Sequence, residues 1–270
     1  MDIGTIDYWA VGRSSPLHKA SALSKVIAAG LLVASVIVTW DIFALLGIYL
    51  FAAAGIVLAC LPVLRVLAVA LYPAIFALLF AVSQWDGSLL GPLLVVGRAL
   101  AAAAVMVTLI ATTPYPQLFA VLRFVLPTLV ADALFITYRS LFILLGLFGY
   151  LMTSLRLRGG LSKHRFIHNA RNLATGLGLM LVRSVALAER LYDVLRLRGY
   201  SGRLTGGTSW RQFTKYDTYP LAASSLILAA VLVLRFVPGA YLYNGYLLLA
   251  AVLTLAAAAL ARLRCRRAMG

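Results

Sequence analysis

Residues Leu89–Ala111 read LLGPLLVVGRALAAAAVMVTLIA, an apolar run broken by a single charged residue, Arg98. About 20 such residues, coiled as a helix, cross the ~30 Å hydrocarbon layer of a bilayer. A run that is apolar all round leaves no polar face to offer to water. Comparable runs flank it, at Leu23–Trp40, Ile42–Leu61 and Val66–Trp85 upstream and at Leu221–Val237 and Tyr241–Ala261 downstream. Their links are short: Asp41, then Pro62–Arg65, then Asp86-Gly87-Ser88, with Pro238-Gly239 as the turn of the last pair. Trp40, Trp85, Tyr241, Tyr243 and Tyr246 stand at or near span ends, where amphipathic rings favour the headgroup layer. Composition agrees, since 63% of residues are hydrophobic and 12% charged, against about half and a quarter in soluble domains. That surplus cannot be hidden in one soluble core, so lipid must solvate much of the surface. The expected fold is an all-α polytopic membrane protein with about six transmembrane helices.

Cations set its orientation. Arg13, Lys19 and Lys25 precede or open the first span, Arg262, Arg264, Arg266 and Arg267 follow the last, and the stretch Arg156–Lys215 holds half of the 24 basic residues. The turns assigned to the outer side carry Asp41 and Asp86 and no Lys or Arg. Six spans with both termini in the cytoplasm satisfy the positive-inside bias. The plan is a single membrane domain, 1–270: a cytoplasmic lead 1–22, four spans within 23–111, a cytoplasmic or interfacial region 112–220, two spans within 221–261 and a basic tail 262–270. The polar lead lacks the pattern of a cleavable signal, so the first span is expected to be a retained anchor. Val125–Met152 is apolar enough to cross, but crossing would carry the basic stretch and the tail outside. Asp132, Tyr138 and Arg139 also interrupt it, and such groups are costly in hydrocarbon unless they face protein. It is therefore expected to lie in or near the cytoplasmic interface, covered by a partner membrane protein.

Within the basic region one string occurs twice: Leu155-Arg156-Leu157-Arg158-Gly159 and Leu195-Arg196-Leu197-Arg198-Gly199. Between the copies Leu173, Leu177, Met180, Ser184, Leu187, Leu191 and Val194 recur at steps of three and four, the signature of an amphipathic helix. Each copy thus ends a long helix. Arginine in a last turn complements the negative end of the helix dipole, and glycine just beyond is the usual left-handed cap. Capping accounts for one copy well. Two copies on the same side of the membrane suggest two equivalent contact points, each offering a planar fork suited to carboxylates or carbonyls.

Several chemistries are absent or weak. The net charge of +16 is explained by span flanks and anionic headgroups, so no nucleic-acid partner is expected. Lys19, Lys25, Lys163 and Lys215 are the lysines; none follows Gly or precedes Ser or Thr, so the chain has no phosphate loop to hydrolyse ATP. Cys60 lies in an apolar run and Cys265 in the tail, which disfavours a disulfide. His164 and His168 have the spacing of a metal pair but sit among Lys163, Arg165 and Arg171 with no carboxylate or thiol nearby, so a solvated basic face is favoured. Arg98 reads as a packed arginine bonded to helix-end carbonyls in preference to a substrate path.

The chain resembles the transmembrane T component of energy-coupling factor transporters, of the CbiQ type that imports cobalt and nickel. The resemblance is carried by Asp7-Tyr8-Trp9-Ala10-Val11-Gly12, Ser15-Pro16-Leu17-His18 and Lys25, by Thr112-Thr113-Pro114-Tyr115-Pro116 and Tyr138-Arg139, and most specifically by Arg183-Ser184, Glu189-Arg190 and Arg198-Gly199-Tyr200-Ser201-Gly202-Arg203. It implies a non-catalytic scaffold, with no cofactor of its own, joining a substrate-binding membrane S component to two ATPase subunits. In that family short Ala-Arg-Gly motifs end the coupling helices and dock on the ATPases. The matching residues are Arg158 and Gly159, and Arg198 and Gly199, with Leu157 and Leu197 where Ala is usual. Two rivals stand beside it: a self-contained secondary transporter or channel, and an integral-membrane enzyme using His164 and His168.

Overall fold

The computed structural model describes residues 16–59, 61–83, 87, 90–160, 166–200, 217–236 and 244–268, and among these every regular element is helical. The expected features at 1–15, Cys60, Trp85-Asp86, Ser88, His164, 201–203 and 238–243 lie outside the described residues. The chain divides into two compact units, residues 1–121 with 209–270, and residues 122–208.

In the first unit a short helix α1 (Pro16–Lys19) leads to α2 (Ala22–Val38) and α3 (Ile42–Leu58). Then come α4 (Val63–Ser83), α5 (Leu90–Thr112) and α6 (Tyr115–Leu122). Ser21 starts α2 by accepting the Ser24 N–H at 3.3 Å, which satisfies one of the free donors of the first turn. After the second unit the chain returns as α9 (Thr218–Phe236) and α10 (Asn244–Ala268). Helix α3 packs along α10 and against α5, α2 packs on α9 and α5, and α4 runs along α5. Alanine and glycine dominate the seams: Ala29, Ala52, Ala104 and Ala111 are buried, and a Cβ on Gly97 would run into Leu45 Cδ2. Lipid tails are as apolar as leucine, so helices in a bilayer associate through such close backbone approach. Ile48, Ile56, Leu61 and Val66 fill the remaining space.

Among the described residues four helices are long and apolar enough to cross a membrane: α4, α5, α9 and, in the second unit, Thr128–Leu157. Ala22–Val38 and Ile42–Leu58 are apolar helices of 17 residues, and Leu248–Leu260 is the apolar part of α10. A 17-residue helix is about 26 Å long, at the short end of what a bilayer core accepts. The protein is a multi-pass membrane protein.

The second unit is a pair of long helices, α7 (Thr128–Leu157) and α8 (Phe166–Leu197). Helix α7 begins later than the apolar run, because Pro127, at the N-cap, disfavours helical geometry at the residue before it, after a turn through Arg123–Val125. None of its most apolar stretch is buried in the protein, so that surface must meet lipid or another chain. Along α8 Leu173, Gly176, Met180, Ser184, Leu187, Leu191 and Leu195 are half-buried, at steps of three and four. Leu177 and Val194, assigned to the same stripe, are 45% exposed and mark its edges. Where the helices cross, a Cβ on Gly176 would stand 2.8 Å from Leu151 Cδ1, so the missing side chain sets the approach.

Candidate functional site

The two copies of Leu-Arg-Leu-Arg-Gly fold alike, atom for atom in their backbone bonds. At the end of α7 the Gly160 N–H donates to Leu155 O at 2.8 Å and the Gly159 N–H to Arg156 O at 3.1 Å. At the end of α8 the Tyr200 N–H donates to Leu195 O at 3.0 Å and the Gly199 N–H to Arg196 O at 3.0 Å. This six-to-one and five-to-two pattern is a Schellman cap, which satisfies carbonyls that the helix leaves free. It requires a left-handed residue, and Gly159 and Gly199 supply φ of +67° and +77°. No atom lies within 4 Å of where a Cβ on either would sit, so both glycines serve conformation and not space.

The side chains divide the same way in each copy. Leu155 and Leu195 are half-buried, whereas both arginines of each copy are exposed. Leu157 and Leu197 are 83% and 87% exposed. Of the two leucines per copy, the first packs and the second has no work within the fold. Sequence alone left these second leucines without a role. Each tip is therefore a rigid cap presenting an apolar side chain between two guanidiniums.

The α7 tip is held to α8, since Asn172 Nδ2 donates to Gly160 O at 2.9 Å. From Asn172 to Leu197 is 25 residues of continuous helix, on the order of 40 Å at 1.5 Å per residue. The two tips are thus fixed near opposite ends of one element. Asn172 lies on no motif, and only the fold shows its importance. His168 Nε2 is 3.2 Å from the same amide nitrogen. Among the described residues no group of three His, Cys, Asp or Glu side chains is placed to hold a metal.

In the first unit Arg98 makes the bond expected of it. Arg98 donates to Thr39 O, the C-cap carbonyl of α2, at 2.7 Å and stacks 5.1 Å over the Trp40 ring. Arg235 donates to Val38 O at 2.7 Å, so two cations from two helices close one helix end. The position of Arg98 near the middle of its run was deceptive, because its long stem carries the charge to the end of a neighbouring helix. Arg235 was missed by the sequence reading, though its place near the end of an apolar run is the same signal. At the other end of α2, Lys25 is buried and donates to Thr112 O at 3.1 Å and His18 O at 3.4 Å. Beside it buried Asp217 accepts from Ser21 N–H at 2.5 Å and Ser24 Oγ at 3.1 Å. A cation on the last carbonyl of α5 faces the negative end of that helix.

Fold and tips together define a multi-pass helical membrane protein with two matching, exposed helix ends. Over residues 14–210 the chain matches the CbiQ family, described as cobalt transport protein, and it belongs to that family. Membership makes it a membrane transport protein. No curated protein matches the chain.

Proposed function

We propose that the chain is the transmembrane scaffold, or T component, of an energy-coupling factor importer for cobalt or nickel. It relays movement of two separate ATPase subunits to a separate substrate-binding membrane subunit, and it is neither an ATPase nor a cofactor-binding enzyme itself. It resides in the cell membrane with both termini in the cytoplasm. One observation carries the reading: two caps with the same bonding pattern and similar exposure stand near opposite ends of one helix, on the order of 40 Å apart. A dimeric motor offers two equivalent grooves, and a two-point rigid contact converts their displacement into tilting of α7 and α8. At each point Arg158 or Arg198 supplies a fork for a carboxylate, Gly159 or Gly199 shapes the cap, and Leu157 or Leu197 fills an apolar hollow. Leucine in place of the usual alanine calls for a deeper hollow on the cognate ATPase.

Charge reversal tests this. Arg158→Glu or Arg198→Glu should weaken copurification with the ATPase subunits in mild detergent, and the double variant should abolish metal uptake by cells. Unchanged assembly and uptake in the double variant would remove the assignment.

A further inference from the structure

The second unit holds a cleft that reaches the α8 tip and shares Arg198 with it. It is about 580 Å³ in volume and lies between the middle of α7 and the C-terminal half of α8. Its walls are apolar, with Ile136, Ile143 and Leu144 on one side and Leu187, Leu191 and Leu195 on the other. Into it come three arginines, Arg139 from α7 and Arg190 and Arg198 from α8, with the hydroxyl residues Ser140 and Ser184. No carboxylate lines it among the described residues; Glu189 and Asp193 line an adjoining shallow recess that shares Ala188 and Tyr192 with the cleft. All three arginines are exposed, and their guanidiniums are available to an anion that enters the cleft.

We propose that this cleft binds one anionic phospholipid, its phosphate among the three guanidiniums and an acyl chain along the leucine and isoleucine walls. Charge selects a phosphate-bearing ligand, because guanidiniums form paired bonds with phosphate oxygens. Apolar walls select an amphiphile over free phosphate. Volumes of this order suit small ligands. The donor is at hand, since the cytoplasmic leaflet supplies anionic headgroups to basic pockets between helices. Occupied, the lipid would brace α7 against α8 where they diverge from their crossing at Gly176.

The test uses the full chain purified in nonionic detergent with equal amounts of phosphatidylglycerol and phosphatidylcholine, and native mass spectrometry to count retained lipid. The wild type should keep a single phosphatidylglycerol in preference to phosphatidylcholine, and millimolar inorganic phosphate should not displace it. Arg139→Gln with Arg190→Gln, sparing Arg198 for its docking role, should reduce retention about tenfold. Leu187→Trp, which keeps every charge and fills the acyl path, should also reduce it; helix content by circular dichroism verifies that each variant is folded. Equal retention of the two lipids by the wild type, displacement by phosphate, or wild-type retention in the folded Arg139→Gln/Arg190→Gln variant overturns the proposal. So does a cleft that takes up no lipid but crosslinks, through Leu144→Cys, to a second membrane protein.

Discussion

Gly159 and Gly199 show how one residue can serve a fold without touching anything. Their left-handed φ values of +67° and +77° close the caps of α7 and α8, and alanine at such a φ meets its own carbonyl at a cost of roughly 1–2 kcal/mol. Gly159→Ala and Gly199→Ala should therefore speed amide exchange at residues 160 and 200 while leaving helix content unchanged. Protection equal to wild type would mean the caps are not left-handed in the membrane. The leucines separate by the same logic. Leu155→Ala and Leu195→Ala should lower thermal stability because these side chains are half-buried. Leu157→Ala and Leu197→Ala should leave it unchanged within error, since side chains 83% and 87% exposed contribute little to the isolated fold. Any loss of ATPase copurification in the latter pair then reports docking and not folding. The repeat announced these caps in sequence because glycine and arginine at a helix end have local causes. Which leucine packs and which projects depends on where α8 lies, and no local rule carries that.

At the scale of elements, the α7–α8 pair is a lever with two fixed points. Asn172 ties its amide to Gly160 O, and Gly176 lets Leu151 approach. Removing the amide with Asn172→Ala forfeits a bond worth about 1 kcal/mol and should loosen only the α7 tip, seen as faster exchange near residue 160 with residue 200 unaffected. Gly176→Val overfills the crossing and should cost roughly 1–3 kcal/mol, lowering the melting temperature; spin labels at the two tips should report a changed separation. No change in that separation would mean that the crossing does not set the lever. The amphipathic period of α8 was legible because a helix repeats on its own sequence. The start of α7 was not, since apolarity runs continuously through Val125 and only Pro127 marks the break. The three-residue difference between the start of the apolar run at Val125 and the start of the helix at Thr128 is decided by backbone chemistry, not by hydropathy.

At the scale of the whole molecule, Arg98 and Arg235 close the C-terminal end of α2. Arg98→Met removes a half-buried, charge-assisted bond to Thr39 O and should destabilise the protein by about 1.5–3 kcal/mol. Arg235→Met removes an exposed bond to Val38 O and should cost less. Heat-induced loss of monodispersity in detergent ranks the two, and the reverse order would contradict the geometry. Membrane sidedness is tested by cysteines introduced at Ser162 and Ser201 after Cys60 and Cys265 are replaced. If α7 lies in the interface, both should label with an impermeant reagent only once the cytoplasmic side is opened; labelling from outside would make Thr128–Leu157 a span. Hydropathy marks that helix as long and apolar enough, while charge counts against its crossing, and the two signals pull apart because they measure different things.

The sequence by itself determined that this is an all-helical, multi-pass membrane protein, because apolar length and cation placement are properties of the chain read in order. It also determined the two capped helix ends, because a Schellman cap draws its bonds from six consecutive residues. Only tertiary structure decided what those ends present and what the isolated charges do. The partners of Arg98, Arg235 and Lys25 lie 59, 197 and 87 residues away. The projection of Leu157 and Leu197 and the gathering of Arg139, Arg190 and Arg198 in one cleft follow from how two helices cross. A side chain's partners across the fold depend on packing, and packing is the one quantity that periodicity and composition do not contain.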